Sequence, residues 1–184
     1  MTTKTVFPPT LSPRALVQKV PAIGWQFVIA LVIYIIASHF ILSGYPEAKP
    51  HLRVNFEPLL TAPIQIQIHV ASALTAFFIG LILLCAPKGF GLHKTLGWSW
   101  VIAMGLTAFS SFFISGIFEN AFSPIHALSA WVLLGLPFGV AAVRRGNVKK
   151  HRETMTGMFA GAMAIAGLFT FLPGRLMWDL FIGL

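Results

Sequence analysis

The sequence predicts an all-α integral membrane protein: a bundle of five transmembrane helices in which helices 2 to 5 form a four-helix core. Two observations predict this class. Of the 184 residues, 57% are hydrophobic and only 10% are charged, whereas soluble globular chains carry roughly 25% charged residues. The few charges also lie in gaps between long apolar stretches. A soluble domain would need them spread over its whole surface.

Five stretches contain no Asp, Glu, Lys or Arg and have the length of a membrane-crossing helix. Such a helix needs about 20 apolar residues to cross a hydrocarbon core of about 30 Å. We predict a single membrane domain with a tail at 1–21. Its spans are predicted at 22–42, 64–85, 95–118, 125–143 and 154–172.

Individual elements carry further signals. The first span is longer than the roughly 7 to 15 apolar residues of a signal peptide, so we expect it to be retained. Pro137 lies inside the fourth span and should kink it, because proline has no backbone N–H. The last nine residues, 176–184, are too short to cross, and Trp178 suggests that they lie at the membrane interface.

Basic residues in the connections predict the orientation, because positively charged segments stay on the cytoplasmic side during insertion. The tail 1–21 and the connections 86–94 and 144–153 contain ten Lys and Arg residues, against three on the opposite side. We therefore predict a multi-pass protein of the bacterial cytoplasmic membrane, with its N-terminus in the cytoplasm and its C-terminus outside. The net charge of +8 is then explained by topology and by attraction to anionic lipid, and nucleic acid is not an expected partner.

Histidines are the main side chains of these spans that could ligate a metal. His69 of the second helix and His126 of the fourth are predicted near the outer face, whereas His93 and His151 begin the third and fifth helices at the cytoplasmic face. In a closed four-helix bundle, alternate helices are diagonal and their side chains meet across the core. We expect His69 to face His126, and His93 to face His151.

Two facing imidazoles are the axial ligands that a b-type haem requires. The sequence therefore suggests two haems, one near each face, and a role as a transmembrane electron carrier or membrane oxidoreductase. Lys94 and Arg152 lie close to the cytoplasmic pair and could bind haem propionates. A macrocycle also needs space, and small residues follow three of the histidines by about one turn. They are Ser72, Ala73, Gly97, Ser129 and Ala130.

Two other functions fit the same residues. The histidines could bind Cu or Zn in a metal-handling or transport protein, since imidazole suits those ions too. Alternatively, the histidines are only interfacial, and the chain is an accessory subunit that contacts a membrane protein partner through the proline-rich outer loop 43–63. In the haem hypothesis the electron donor would be a quinol or a small reductant, and His39 and His51 have no assigned role.

Four short strings carry a resemblance to a known family. They are LHKTLGW at 92–98, SPIH at 123–126, HRETM at 151–155 and PGR at 173–175. They resemble a family of predicted bacterial membrane proteins of unknown function, over residues 64–175. The arrangement of the four histidines on consecutive helices is also similar to that of transmembrane di-haem cytochromes b. That likeness implies haem ligation by His69 with His126 and by His93 with His151.

Overall fold

The computed structural model of this chain describes residues 23–47, 49–89, 91–114 and 124–183. Its long helices are α1 (Ile23–Ser43), α3 (Ile64–Cys85), α4 (Gly91–Ser111), α5 (Pro124–Arg144) and α6 (Val148–Met158). A π-helical segment (Phe159–Ile165) continues α6 into α7 (Ala166–Phe169). The predicted tail 1–21 and positions 115–118 of the third predicted span lie outside the described residues.

Short elements join and follow these helices. The connection after α1 contains β1 (His51–Leu52) and α2 (Glu57–Leu60), and the chain ends with α8 (Leu176–Phe181) and β2 (Ile182–Gly183). β1 and β2 pair antiparallel, with Leu52 opposite Ile182. The proline-rich outer loop therefore folds against the C-terminal segment. Trp178 is buried in this arrangement, in which α8 packs on α2, and its place at the membrane interface stays a prediction.

Four helical elements surround the core. The main contacts run from α3 to α4, from α4 to α5, from α5 to α6, and from the π-helical segment back to α3. This order places α3 diagonally opposite α5, and α4 opposite α6. All four contribute buried apolar side chains. These include Ala76, Trp100, Met104, Leu136, Met158 and Phe159.

The first helix lies outside this core. α1 contacts the π-helical segment and α7, and the Tyr34 hydroxyl donates a hydrogen bond to the carbonyl oxygen of Phe171 (3.0 Å). Most other α1 side chains are exposed apolar groups. In a membrane protein this surface is the one that lipid covers.

Local sequence explains how two of the helices begin and end. Gly146, with φ of +78°, allows the sharp turn between α5 and α6, because glycine adopts this conformation without a steric penalty. Asn147 caps α6, and its side chain accepts from the backbone N–H of Lys150 (3.0 Å). α4 ends at Ser111 and turns at residues 112–113, earlier than the predicted 118. Three hydroxyl groups near this end, those of Thr107, Ser110 and Ser111, donate hydrogen bonds to backbone carbonyls of α4. Such bonds compete with the backbone hydrogen bonds of a regular helix.

Three of the described helices are long and apolar enough to cross a membrane: Trp25–Ser43, Ile64–Cys85 and Ile125–Arg144. α4 has the same length as α5, but its Thr, Ser, Gly and Trp residues make it less apolar. The last predicted span is divided among α6, the π-helical segment and α7. The structure therefore supports a multi-pass helical membrane protein, and the number of five spans stays a prediction.

Candidate histidine sites

The four predicted ligands lie at the two ends of the bundle. His93 is in the first turn of α4 and His151 in the first turn of α6, at the end that carries the basic connection 144–153. His69 of α3 and His126 of α5 lie near the opposite end. His39 and His51 are exposed on α1 and β1.

His93 and His151 lie at the basic end on diagonally opposite helices, α4 and α6. His93 lies two residues before the predicted span, and its pKa is below the ordinary value of 6.5, first because of burial, then because of the positive charges of a protonated His151 and of Lys88. Within the described residues, the Nδ1 atom of His93 is buried and has no hydrogen-bond partner, which is costly for a polar atom.

The imidazole of His151 is held by the backbone of α5. Its Nδ1–H donates to the carbonyl oxygen of Gly139 (2.9 Å). Because a carbonyl only accepts, Nδ1 carries a proton, and in the neutral ring the lone pair is then on Nε2. Metal-bound histidines typically have this arrangement, with one ring nitrogen on a carbonyl and the other on the metal.

His69 has the same kind of support at the other end. Its Nδ1 lies 3.0 Å from the carbonyl oxygen of Thr107 and 3.1 Å from the hydroxyl of Ser110. The Thr107 carbonyl again requires a proton on Nδ1, so Nε2 carries the lone pair in the neutral ring. His126 lies against Phe112, with the ring centroids 5.7 Å apart. His69 therefore contacts the C-terminal part of α4, and His126 contacts the residue that follows this helix.

Serine side chains join the helices at this second end. The Thr107 hydroxyl donates to Ser72 (3.0 Å), and the hydroxyls of Ser111 and Ser129 bond to each other. Such hydrogen bonds hold helices together in lipid. Ser72 and Ser129 were predicted to leave space beside a macrocycle, but they contact the neighbouring helix instead. The sequence alone did not predict this cluster, although Ser and Thr residues within the apolar spans indicate it.

The space beside His93 differs from that at the second end. Gly97 follows His93 by one turn, and a Cβ atom added there would meet no atom of the described residues within 4 Å. The middle of the bundle is filled by side chains that include Trp100, Met104 and Phe159. Paired imidazoles are the ligands that a b-type haem takes, and the space for its macrocycle stays a prediction.

The remaining predicted site residues are two basic side chains. Lys94 and Arg152 are exposed at the basic end, each next in sequence to one of the two histidines. Within the residues that the structure describes, no three His, Cys, Asp or Glu side chains come together as a metal-binding group. Cys85 is free and exposed at the end of α3.

The apolar helices, the buried small residues between them and the charged ends together define an integral membrane protein. The family described as predicted membrane protein (DUF2306) matches residues 66–182, and this chain belongs to that family. The match covers α3 to α8 and all four predicted ligands. No curated protein and no solved structure matches the chain.

Proposed function

We propose that this protein is a b-type cytochrome of the bacterial cytoplasmic membrane. His93 and His151 would hold one haem at the basic end, and His69 and His126 a second haem at the opposite end. One observation carries the proposal: His93 and His151 lie in the first turns of diagonally opposite helices, α4 and α6, at the same end of the bundle. When bound, haem supplies a reversible one-electron couple.

The chain's own groups orient these ligands. The carbonyl oxygens of Gly139 and Thr107 hold the Nδ1–H groups of His151 and His69, which leaves each Nε2 able to coordinate. His93 lacks such a partner on Nδ1 among the residues that the structure describes, so its ring is less restrained. The exposed cations Lys94 and Arg152 would pair with propionates, which are anionic and extend from one edge of the macrocycle.

The distance between the two ends suits electron transfer in two stages. His69 lies level with residues 107–110 of α4, which follow His93 by 14 to 17 positions in the same helix. At a rise of 1.5 Å per residue the two ends are about 20–25 Å apart. The buried side chains between them exclude water and keep the two sites separate.

The proposal includes five membrane spans, with the N-terminus in the cytoplasm and the C-terminus outside. The electron donor would be a quinol or a small reductant, because the lipid bilayer gives quinols direct access to the bundle. Direct contact with a membrane protein partner would involve the outer loop 43–63, whose β1 strand is exposed.

The test is the absorption spectrum of protein purified from haem-replete cells, before and after reduction with dithionite. We expect a Soret band and the α-band of bis-histidine haem, with two haems per chain. The variants His93→Ala and His151→Ala should each remove about one haem, and His69→Ala and His126→Ala the other.

The matched controls are His39→Ala and His51→Ala, since both side chains are exposed away from the paired histidines. They should keep both haems. A colourless protein contradicts the proposal, and so does a His93→Ala variant with unchanged haem content. Copper or zinc in the absence of iron would instead favour a metal-handling protein.

A further inference from the structure

A groove lies between α4 and α5 at the basic end, and none of the paired histidines lines it. Its volume is about 340 Å³, and its lining includes Val101, Leu136, Pro137 and Ala141. These side chains are apolar. The groove is open rather than enclosed, because Pro137 and the indole of Trp98 are exposed at its edge. This surface of the bundle is covered by lipid when the protein is in a membrane.

The groove follows the contact between the two helices. A Cβ atom added at Gly105 would lie 3.9 Å from the side chain of Leu136, an ordinary van der Waals distance. One position after Leu136, Pro137 lacks an N–H that could donate within α5, and its side chain lines the groove.

A cation lies at the mouth of the groove. The guanidinium of Arg144 lies over the Trp98 ring, with its Cζ atom 5.7 Å from the ring centroid. This cation–π contact holds the charge beside the apolar lining. Arg145 follows it, and the connection 144–153 contains five Lys and Arg residues and one acidic residue, Glu153. The mouth is therefore strongly positive.

We propose that this groove binds one anionic phospholipid, with an acyl chain against Pro137 and Ala141 and the phosphate on Arg144. The chemistry of the groove matches both parts of such a molecule. The apolar lining suits a hydrocarbon chain, and basic pockets between transmembrane helices recognise anionic headgroups. A guanidinium binds a phosphate through two parallel N–H groups. The proposal does not depend on haem.

The experiment compares the binding of phosphatidylglycerol and phosphatidylcholine with identical acyl chains to the full-length protein. Native mass spectrometry of the detergent-solubilised protein counts the bound lipids during titration. We expect one phosphatidylglycerol to bind about tenfold more tightly than phosphatidylcholine, and Arg144→Gln to remove this preference.

Two further variants distinguish lipid binding in the groove from general attraction of the lipid to surface charge. Arg145→Gln removes the same charge from a neighbouring residue that does not line the groove, and it should keep the preference. Ala141→Trp fills the groove while keeping Arg144, and it should weaken phosphatidylglycerol binding. Circular dichroism checks that each variant is folded.

Three results would overturn the proposal: equal binding of the two lipids, equal losses in Arg144→Gln and Arg145→Gln, or unchanged binding in a folded Ala141→Trp variant. Release of a neutral quinone from the purified protein by Ala141→Trp, with no effect on phosphatidylglycerol, would also overturn it.

Discussion

Individual glycines allow the close helix contacts of this bundle. At Gly80 of α3, an added Cβ atom would contact the Phe159 ring, 2.5 Å from its Cδ2 atom, and would lie 2.9 Å from Nε1 of Trp100. Phe159 cannot easily move, since it is buried and stacked on Phe77 with the centroids 5.9 Å apart. Gly157 of α6 differs, because a Cβ atom there would meet nothing within 4 Å.

We expect Gly80→Ala to lower the free energy of unfolding by about 1–2 kcal/mol, because overpacking of a rigid core exceeds the gain in helix propensity. Gly157→Ala is the matched control and should be neutral or slightly stabilising. Thermal unfolding in detergent, followed by circular dichroism, measures both. Equal melting temperatures for the two variants would show that the contact of Gly80 with the Phe159 ring has room for a Cβ atom.

At the scale of elements, the outer connection and the C-terminus form one unit. In addition to the β1–β2 pairing, the backbone N–H groups of Arg53 and Asn55 donate to the carbonyl oxygens of Phe181 (3.1 Å) and Leu180 (2.9 Å). The rings of Phe56 and Phe181 form an edge contact with centroids 6.4 Å apart. These contacts tie β1 and α2 to α8, although more than 110 residues separate them in the sequence.

This pairing predicts a specific disulfide. Leu52 and Ile182 are directly opposite, and opposite Cα atoms in an antiparallel pair lie about 4.5–5.5 Å apart, within the range for a disulfide. In a Cys85→Ser background, Leu52→Cys with Ile182→Cys should cross-link under mild oxidation. The shift in mobility on a non-reducing gel, after cleavage between the two positions, measures it.

The control for the disulfide is Val54→Cys with Ile182→Cys, which is out of register by two residues and should cross-link much less efficiently. Equal cross-linking of the two pairs would mean that the segment has no fixed register.

At the scale of the whole molecule, charge and apolar length together predict the topology. Basic connections alternate with less basic ones along the chain, and three predicted spans, α3, α4 and α5, separate the outer loop from the connection 144–153. Three crossings would place these two segments on opposite sides of the membrane. The tail 1–21 and the connection 144–153 should share the cytoplasmic side.

Thiol labelling of intact cells tests this topology. In a Cys85→Ser background, a membrane-impermeant maleimide should label Val54→Cys, whereas Val148→Cys should react only after the membrane is opened. Both native side chains are exposed, so accessibility does not limit the reaction. Ser12→Cys should behave like Val148→Cys. Labelling of both Val54→Cys and Val148→Cys in intact cells would contradict an odd number of crossings between them.

The sequence by itself determined the class, the approximate helix positions and the two ends of the bundle at which the histidines lie. These properties depend on apolar length, on charge in the connections and on spacing along one chain, all of which are local. The sequence could not determine how the small residues are used. Ser72 and Gly97 looked equivalent, but Ser72 bonds to Thr107 whereas Gly97 borders open space.

Only the tertiary structure decided the interactions between distant segments. The hydrogen bonds of His151 to Gly139 and of His69 to Thr107 depend on the rotation of each helix about its axis, which a hydrophobic pattern does not fix when most faces are apolar. The pairing of β1 with β2 and the groove beside Pro137 likewise depend on how the helices pack. Packing decides these features, because the backbones and side chains of several helices must fit against one another at the same time.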